Sequence, residues 1–323
     1  MTLISPLSIA PMIDWTYMHF RVLMRLLAPH ALLYTEMQTS GAIEHNTQRA
    51  LEHDLIEMPL ALQIGGSDPN VLADCARKAE AIGYIEVNLN LGCPSSRVLA
   101  GQFGACLMND APKVSACIRA IKRSVSIPVT AKIRLGIDHQ DSYSFFADFV
   151  RMLVDSGCDK LIIHARNAWL TGLNPKQNRT IPPINYEYVY QVKQEHPEIP
   201  MVINGQIQTI EAMHKHLQQV DGVMIGRLAC QNPYAIAHMH QELYPETPLP
   251  NRIDVVQKYL DFCKNIQAPR QQNLSLSRII KPLLNLMHGC NGSSAWKLSL
   301  TSITATHEPE IWRMFDDALT YLS

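Results

Sequence analysis

The chain has 323 residues, of which 47% are hydrophobic and 18% charged, enough apolar side chain to bury a sizeable core and too few charges for disorder throughout. Its 28 Lys and Arg against 29 Asp and Glu leave a formal net charge of −1, a total that by itself argues against a nucleic-acid partner. No run reaches the roughly 18 consecutive apolar residues of a membrane-spanning helix, and the first residues lack a basic start followed by an apolar run; no membrane partner and a cytoplasmic location are therefore expected.

Short apolar, β-branched runs recur down the chain and predict strands at 7–12, 31–37, 60–65, 84–90, 129–136, 161–166, 201–206 and 222–227. Amphipathic stretches lie between them, among them 70–82, opened by Asp68 and Pro69 as cap and first turn, and 111–124. Eight strand–helix units with near-continuous apolar strands predict an α/β chain folded as a closed (β/α)8 TIM barrel, because both strand faces must be buried. Beyond Arg227 the pattern changes. A proline-rich connector at 244–251 leads to helical periodicity at 254–268, at 274–287 and from 294 onward. A barrel domain over 1–244 and an all-helical domain over 245–323 are expected.

Active sites of such barrels lie at the carboxyl ends of the strands. Those ends here read Ala10-Pro11-Met12, Glu36, Gln63, Asn90, Lys132 with Arg134, His164 with Arg166, Asn204-Gly205 and Gly226-Arg227. Such a ring of amide, amine and imidazole groups suits a cofactor cradle better than a scaffold. Gly205 and Gly226 could serve only tight turns; together, on adjacent strands with a guanidinium beside them, they favour a phosphate site. An inward-facing Lys132 needs an anion, either the pyrimidine edge of a reduced flavin or an internal carboxylate, Glu36 or Glu86. His164 reads as an ordinary buried histidine or, with Arg166 two residues on, as part of a phosphate or carbonyl site. Gln63 offers the donor and acceptor that an imide face needs.

None of the eight cysteines lies in a metal-ligand spacing, so no metal is expected, and most read as small buried hydrophobes. Cys93 differs: Gly92-Cys93-Pro94 turns the chain sharply after the fourth strand and leaves this thiol on a loop. Nucleophile, ligand and proton donor are all open to it. With no ligand spacing and no base beside it in sequence, the donor role is credible.

N-x-G-C-P at 90–94, followed by S-S-R-V at 95–98 and G-A at 104–105, resembles the signature of the tRNA-dihydrouridine synthases, flavoenzymes with a barrel and a C-terminal helical domain. The likeness runs from Ala10 to Arg227 and continues more loosely through the helical region; segment 162–186 resembles the DusA branch, which reduces uridines 20 and 20a of the D-loop. The resemblance implies that Ala10, Pro11, Met12, Gln63, Lys132, His164, Asn204, Gly205, Gln206, Gly226 and Arg227 hold FMN. It implies NADPH as reductant, Cys93 as general acid to a flipped-out uridine, and tRNA as partner of a monomer. Asn90, Lys176 and Arg179, Lys297 near Trp296, and with them Arg134 and Arg166, would face the tRNA. Two positions depart from the family: Gln206 stands where glycine or aspartate is usual, and Ser294 where an arginine is expected. Two rivals are a flavin barrel reducing a small molecule, such as a dihydroorotate dehydrogenase or an ene-reductase, and a non-enzymatic tRNA-binding protein.

Counting charge by segment reverses the inference from the total. Residues 1–110 hold 6 basic and 11 acidic side chains, whereas 251–300 hold 7 basic and 2 acidic. Residues 111–134 add six bases and 160–186 four, with no acid in either. Individually these suit solvated faces; collected in the helical region and at the expected mouth of the site, they suit an RNA backbone.

Overall fold

Alternation within the strands sets the architecture. The computed structural model describes residues 5–266 and 276–303, with strands β1 (Leu7–Ile9), β2 (Leu32–Tyr34), β3 (Gln38–Thr39), β4 (Leu60–Gly65), β5 (Glu86–Asn90), β6 (Val129–Arg134), β7 (Lys160–His164), β8 (Met201–Asn204) and β9 (Gly222–Ile225). Every pairing is parallel, and the β2–β4 and β1–β9 pairings close eight of these strands into a TIM barrel. All eight predicted strands are present, most of them shorter. The exception to the sequence reading is β3, which adds two residues alongside the end of β4, Gln38 opposite Ile64. The predicted 31–37 strand stops at Tyr34, and pairing resumes at Gln38 after three non-strand residues.

Inward- and outward-facing positions alternate along each strand. Ala10, Leu32, Tyr34, Ala61, Ile162, Val202 and Met224 form a small cluster inside the barrel. Their alternating neighbours such as Leu33, Leu62, Leu89, Ile133, Ile163 and Val223 belong to the large core between strands and helices. The predicted helix after Asp68 spans Pro69–Ala81, with the Asp68 carboxylate accepting from the amides of Asn70 and Val71. Ala111–Ser124 forms as predicted, its Asp110 cap accepting from the Lys113 amide; such caps each stabilise a helix by about 1 kcal/mol.

After Ile225 no strand occurs among the described residues. Helices Arg252–Asn265, Leu276–Leu283 and Ser293–Ile303 follow, and their Tyr259, Trp296 and Leu300 are buried in the same core as the barrel's outer layer. Predicted helical residues 267–268, 274–275 and 304–323, and Arg270, lie outside the described residues. Helix Leu276–Leu283 ends before the predicted 287, with Pro282 in its last turn; proline cannot continue the hydrogen-bond ladder. Trp296 Nε1 donates to the Leu283 carbonyl at 3.0 Å. Lys281 lies 4.3 Å from the Trp15 ring centroid and donates to the Asp14 carbonyl at 2.7 Å, fixing this helix to the loop after β1. No helix among the described residues is long and apolar enough to cross a membrane.

Candidate active site

At the carboxyl ends of the strands a cavity of about 560 Å³ opens, within the range of cofactor sites. Fifteen of the residues singled out from sequence line it: Ala10, Pro11, Met12, Gln63, Asn90, Cys93, Lys132, Arg134, His164, Arg179, Asn204, Gly205, Gln206, Gly226 and Arg227. Arg166, Lys176 and Lys297 do not. Lys176 is exposed on the excursion after β7, and Lys297 is half-buried on the last described helix.

One wall is built by β5. Its alternation of Glu86, Asn88 and Asn90 with apolar residues points three polar side chains into the barrel, and a chain of hydrogen bonds runs through them. Lys160 Nζ pairs with Glu86 Oε2, while Glu86 Oε1 accepts from Tyr34 at 2.7 Å and Thr130 at 2.6 Å. Asn88 donates to Thr130 at 2.8 Å and accepts from Gln63 at 2.8 Å. Gln63 in turn accepts from Asn90 Nδ2 at 2.8 Å. Asn90 Oδ1 then accepts the backbone amides of Gly92 and Cys93 at 3.2 and 2.9 Å. Asn90 and Gln63 thus orient the Cys93 loop as well as facing the cavity.

The second half of the motif holds that loop from the other side. The Ala105 amide donates to the Cys93 carbonyl at 2.9 Å. Gly104 has φ +76°, and a Cβ there would stand 2.7 Å from the same carbonyl oxygen and 2.3 Å from Val98 Cγ1. Only glycine permits this approach. Cys93 is half-buried, and its thiol donates to Ser95 Oγ at 3.5 Å.

The opposite wall is cationic. Lys132 Nζ donates to Asn204 Oδ1 at 3.1 Å, and Asn204 Nδ2 to the Met224 carbonyl at 2.7 Å. Neither carboxylate weighed from sequence reaches Lys132: Glu86 is committed to Lys160, and Glu36 accepts from the Asp14 amide. Burial, with Arg134 nearby, pulls the Lys132 amine down to about 7. Burial also holds the His164 imidazole well below its ordinary 6.5, reinforced by Arg134, Lys132, Arg166 and Arg227. Lys132, Arg134, Arg179 and Arg227 line this space together with a neutral imidazole, a set that favours an anion. Gly205, at φ +134°, lies where a Cβ would press on Ile184 and His164 at 3.1 and 3.3 Å. The donor set fits a phosphate-bearing ring cofactor: glycines where a group must approach closely, Arg227 beside them, and a lysine without a carboxylate partner among the described residues.

Two buried arginines are committed to backbone. Arg134 donates to the carbonyls of Gly92, Asn167 and Asn178 at 2.9, 3.0 and 2.9 Å. Arg166 donates to the Pro182 carbonyl and, at 2.7 Å, to Gln206 Oε1. Sequence reasoning read both as tRNA-facing; in the structure their guanidinium groups brace the 167–182 excursion. The Arg166 bond also accounts for the departure at Gln206. Its backbone is left-handed, φ +54°, where glycine costs nothing, and the side-chain bond offsets a strain of about 1 kcal/mol or more.

Sequence reasoning missed Ser95 and Arg97, which also line the cavity, and the buried Glu86–Lys160 pair with Asn88 and Thr130. The polar alternation 86, 88, 90 and 130, 132, 134 carried the signal for the latter. Among the described residues no group of three or more His, Cys, Asp or Glu could hold a metal ion.

Comparison with known proteins accords with this geometry. The family model described as "Dihydrouridine synthase (Dus)" matches residues 8–320. Proteins named tRNA-dihydrouridine(20/20a) synthase are similar over most of the chain. That of Pasteurella multocida is 48% identical over 91% of this chain and 89% of its own length. That of Synechocystis is 45% identical over 95% and 92%, and that of Escherichia coli K12 47% identical over 91% and 85%. Among solved structures, a 2-naphthoyl-CoA reductase complex superposes with a TM-score of 0.55 at 9% identity, over 75% of this chain and 50% of that one. Morphinone reductase in complex with tetrahydroNAD gives 0.50 at 12% identity, over 76% and 89%. These two likenesses concern the barrel fold.

Proposed function

The chain belongs to the dihydrouridine synthase family, an enzyme family, and from that membership we propose that it reduces uridine to 5,6-dihydrouridine at positions 20 and 20a of tRNA, with FMN as cofactor and NADPH as reductant. The observation that carries this reading is that Cys93 shares one cavity with a cationic, glycine-lined wall whose Lys132 has no carboxylate partner among the described residues. Its setting is the cytoplasm, and it acts as a monomer without a metal ion.

Lys132, His164, Asn204, Gly205 and Arg227 would hold FMN, with the flanking Ala10–Met12, Gln63, Gln206 and Gly226. Bound and reduced, FMN would supply hydride to carbon 6 of the uracil. Cys93 delivers its proton to carbon 5, an acid step worth about 100- to 10,000-fold. Asn90 and Gln63 fix the loop so that the thiol meets the ring in reacting geometry. The uridine must leave its stack to enter a cavity of this size. Lys176 and Arg179 on the excursion after β7, and the C-terminal region from 245 with Lys297, would grip the phosphate backbone. Lys132 gains the anion that its position among cations requires.

The test uses tRNA from a strain lacking dihydrouridine, incubated with the FMN-loaded protein and NADPH, with modified positions mapped by mass spectrometry. Dihydrouridine at 20 and 20a is expected. NADPH oxidation driven by a small unsaturated carbonyl compound, with the tRNA unchanged, would replace this reading by that of a small-molecule flavin reductase.

A further inference from the structure

Ser95 occupies the N-cap position of helix Ser96–Ala100, yet its side chain makes no capping bond. Serine at this position ordinarily accepts from an amide of the first turn. Here only its backbone carbonyl is used, accepting from the Val98 and Leu99 amides at 2.9 Å each. The freed hydroxyl turns back to the Cys93 sulfur at 3.5 Å and lines the cavity. Ser95 is half-buried, and its neighbours Ser96 and Arg97 are exposed.

We propose that Ser95 is a positioning residue for Cys93: its hydroxyl aims the thiol, donates to the thiolate left after proton transfer, and returns the proton. This rests on the function proposed above. In the transfer, the S–H bond breaks as the C5–H bond forms on the hydride-bearing uracil, leaving its electron pair on sulfur. In the return, the Ser95 O–H bond breaks as S–H re-forms, while a water molecule supplies the hydroxyl with a new proton and hydroxide passes to solvent. Lys132, Arg134 and Arg179 line the same cavity, but among the described residues none of them is hydrogen-bonded to the Cys93 sulfur. That contact belongs to Ser95.

The test compares FMN-loaded wild type, Ser95→Ala and Ser95→Thr in two ways. Iodoacetamide labelling of Cys93, followed by peptide mass spectrometry at fixed pH 8, reads how readily the thiolate forms without requiring turnover. Loss of a hydrogen bond to a charged sulfur should slow labelling about tenfold in Ser95→Ala, with the rate restored in Ser95→Thr. A merely structural loosening would expose the thiol and speed labelling, the opposite sign. Single-turnover dihydrouridine formation should fall about tenfold in Ser95→Ala and recover in Ser95→Thr. Labelling unchanged or faster in Ser95→Ala overturns the proposal. Wild type that labels normally but modifies no tRNA instead overturns the functional reading, and the labelling series still decides the role of Ser95.

Discussion

Arg134 Nε donates to the carbonyl oxygen of Gly92 at 2.9 Å, the residue immediately before Cys93. The same guanidinium reaches Asn167 and Asn178, so one buried side chain ties the Cys93 loop to the excursion that carries Lys176 and Arg179. Lysine has a compact ammonium in place of the planar fork and cannot serve all three carbonyls. Arg134→Lys should lower stability by about 1–3 kcal/mol for each buried carbonyl left unpaired, read by thermal unfolding. The variant should keep its flavin, while tRNA-dependent NADPH oxidation falls on the order of 100-fold, as a misplacement near 1 Å can produce.

Gly104 offers a cleaner separation of flavin binding from chemistry. A methyl group there would sit 2.7 Å from the Cys93 carbonyl in a backbone conformation at φ +76°, so Gly104→Ala must displace the Cys93 loop. Flavin absorbance at unchanged stoichiometry is expected, with dihydrouridine formation reduced nearly as far as in Cys93→Ala, about 100- to 10,000-fold. A Gly104→Ala enzyme of normal turnover would show that the loop is not held this way.

Lys132 links the cavity to pH. In the flavin-free fold its amine is pulled down to about 7 from an ordinary 10.5, chiefly by burial. Between those values the unfolded chain binds the proton that the fold rejects, so the stability of the flavin-free protein should rise with pH across this window. The penalty is fully present below about 7. Lys132→Met should flatten the rise, as measured by urea unfolding at pH 7 and pH 9.5, and should weaken FMN binding by removing the anion's partner.

Glu86 and Lys160 form an ion pair in which both side chains are almost wholly buried. Lys160→Met alone leaves a buried carboxylate whose remaining partners are the Tyr34 and Thr130 hydroxyls. A loss of about 3–5 kcal/mol is expected from breaking such a pair. The double variant Glu86→Gln with Lys160→Met should be less destabilised than Lys160→Met, since the stranded charge is gone. Equal losses in denaturant titrations would contradict this account of the pair.

Lys176 and Arg179 are exposed side chains on the excursion. If each neutralises one tRNA phosphate, replacing both by alanine should reduce the slope of log affinity against log salt by about 1.4 to 1.8. Filter binding over a salt series measures it, and an unchanged slope would remove both residues from the interface.

The sequence by itself determined the eight barrel strands, the closed parallel barrel and the Cys93 loop, because those rest on local signals: apolar runs of strand length, caps such as Asp68, and a turn at Gly92-Cys93-Pro94. It also placed a ring of polar groups at the strand ends, since alternation decides which side chains face inward. Only the tertiary structure decided what those groups are tied to. Arg134 meets Gly92 across 42 residues of sequence, and Lys132 meets Asn204 across 72, separations over which no local pattern specifies a partner. The extra strand Gln38–Thr39 likewise depends on a partner distant in sequence, pairing with Ile64 and Gly65 at the end of β4. The assignment of Arg134 and Arg166 to loop bracing, and of the Ser95 hydroxyl to the Cys93 sulfur, follows from the same physical fact. A hydrogen bond is fixed by distance and direction in space, and sequence spacing carries neither for residues on different strands and loops.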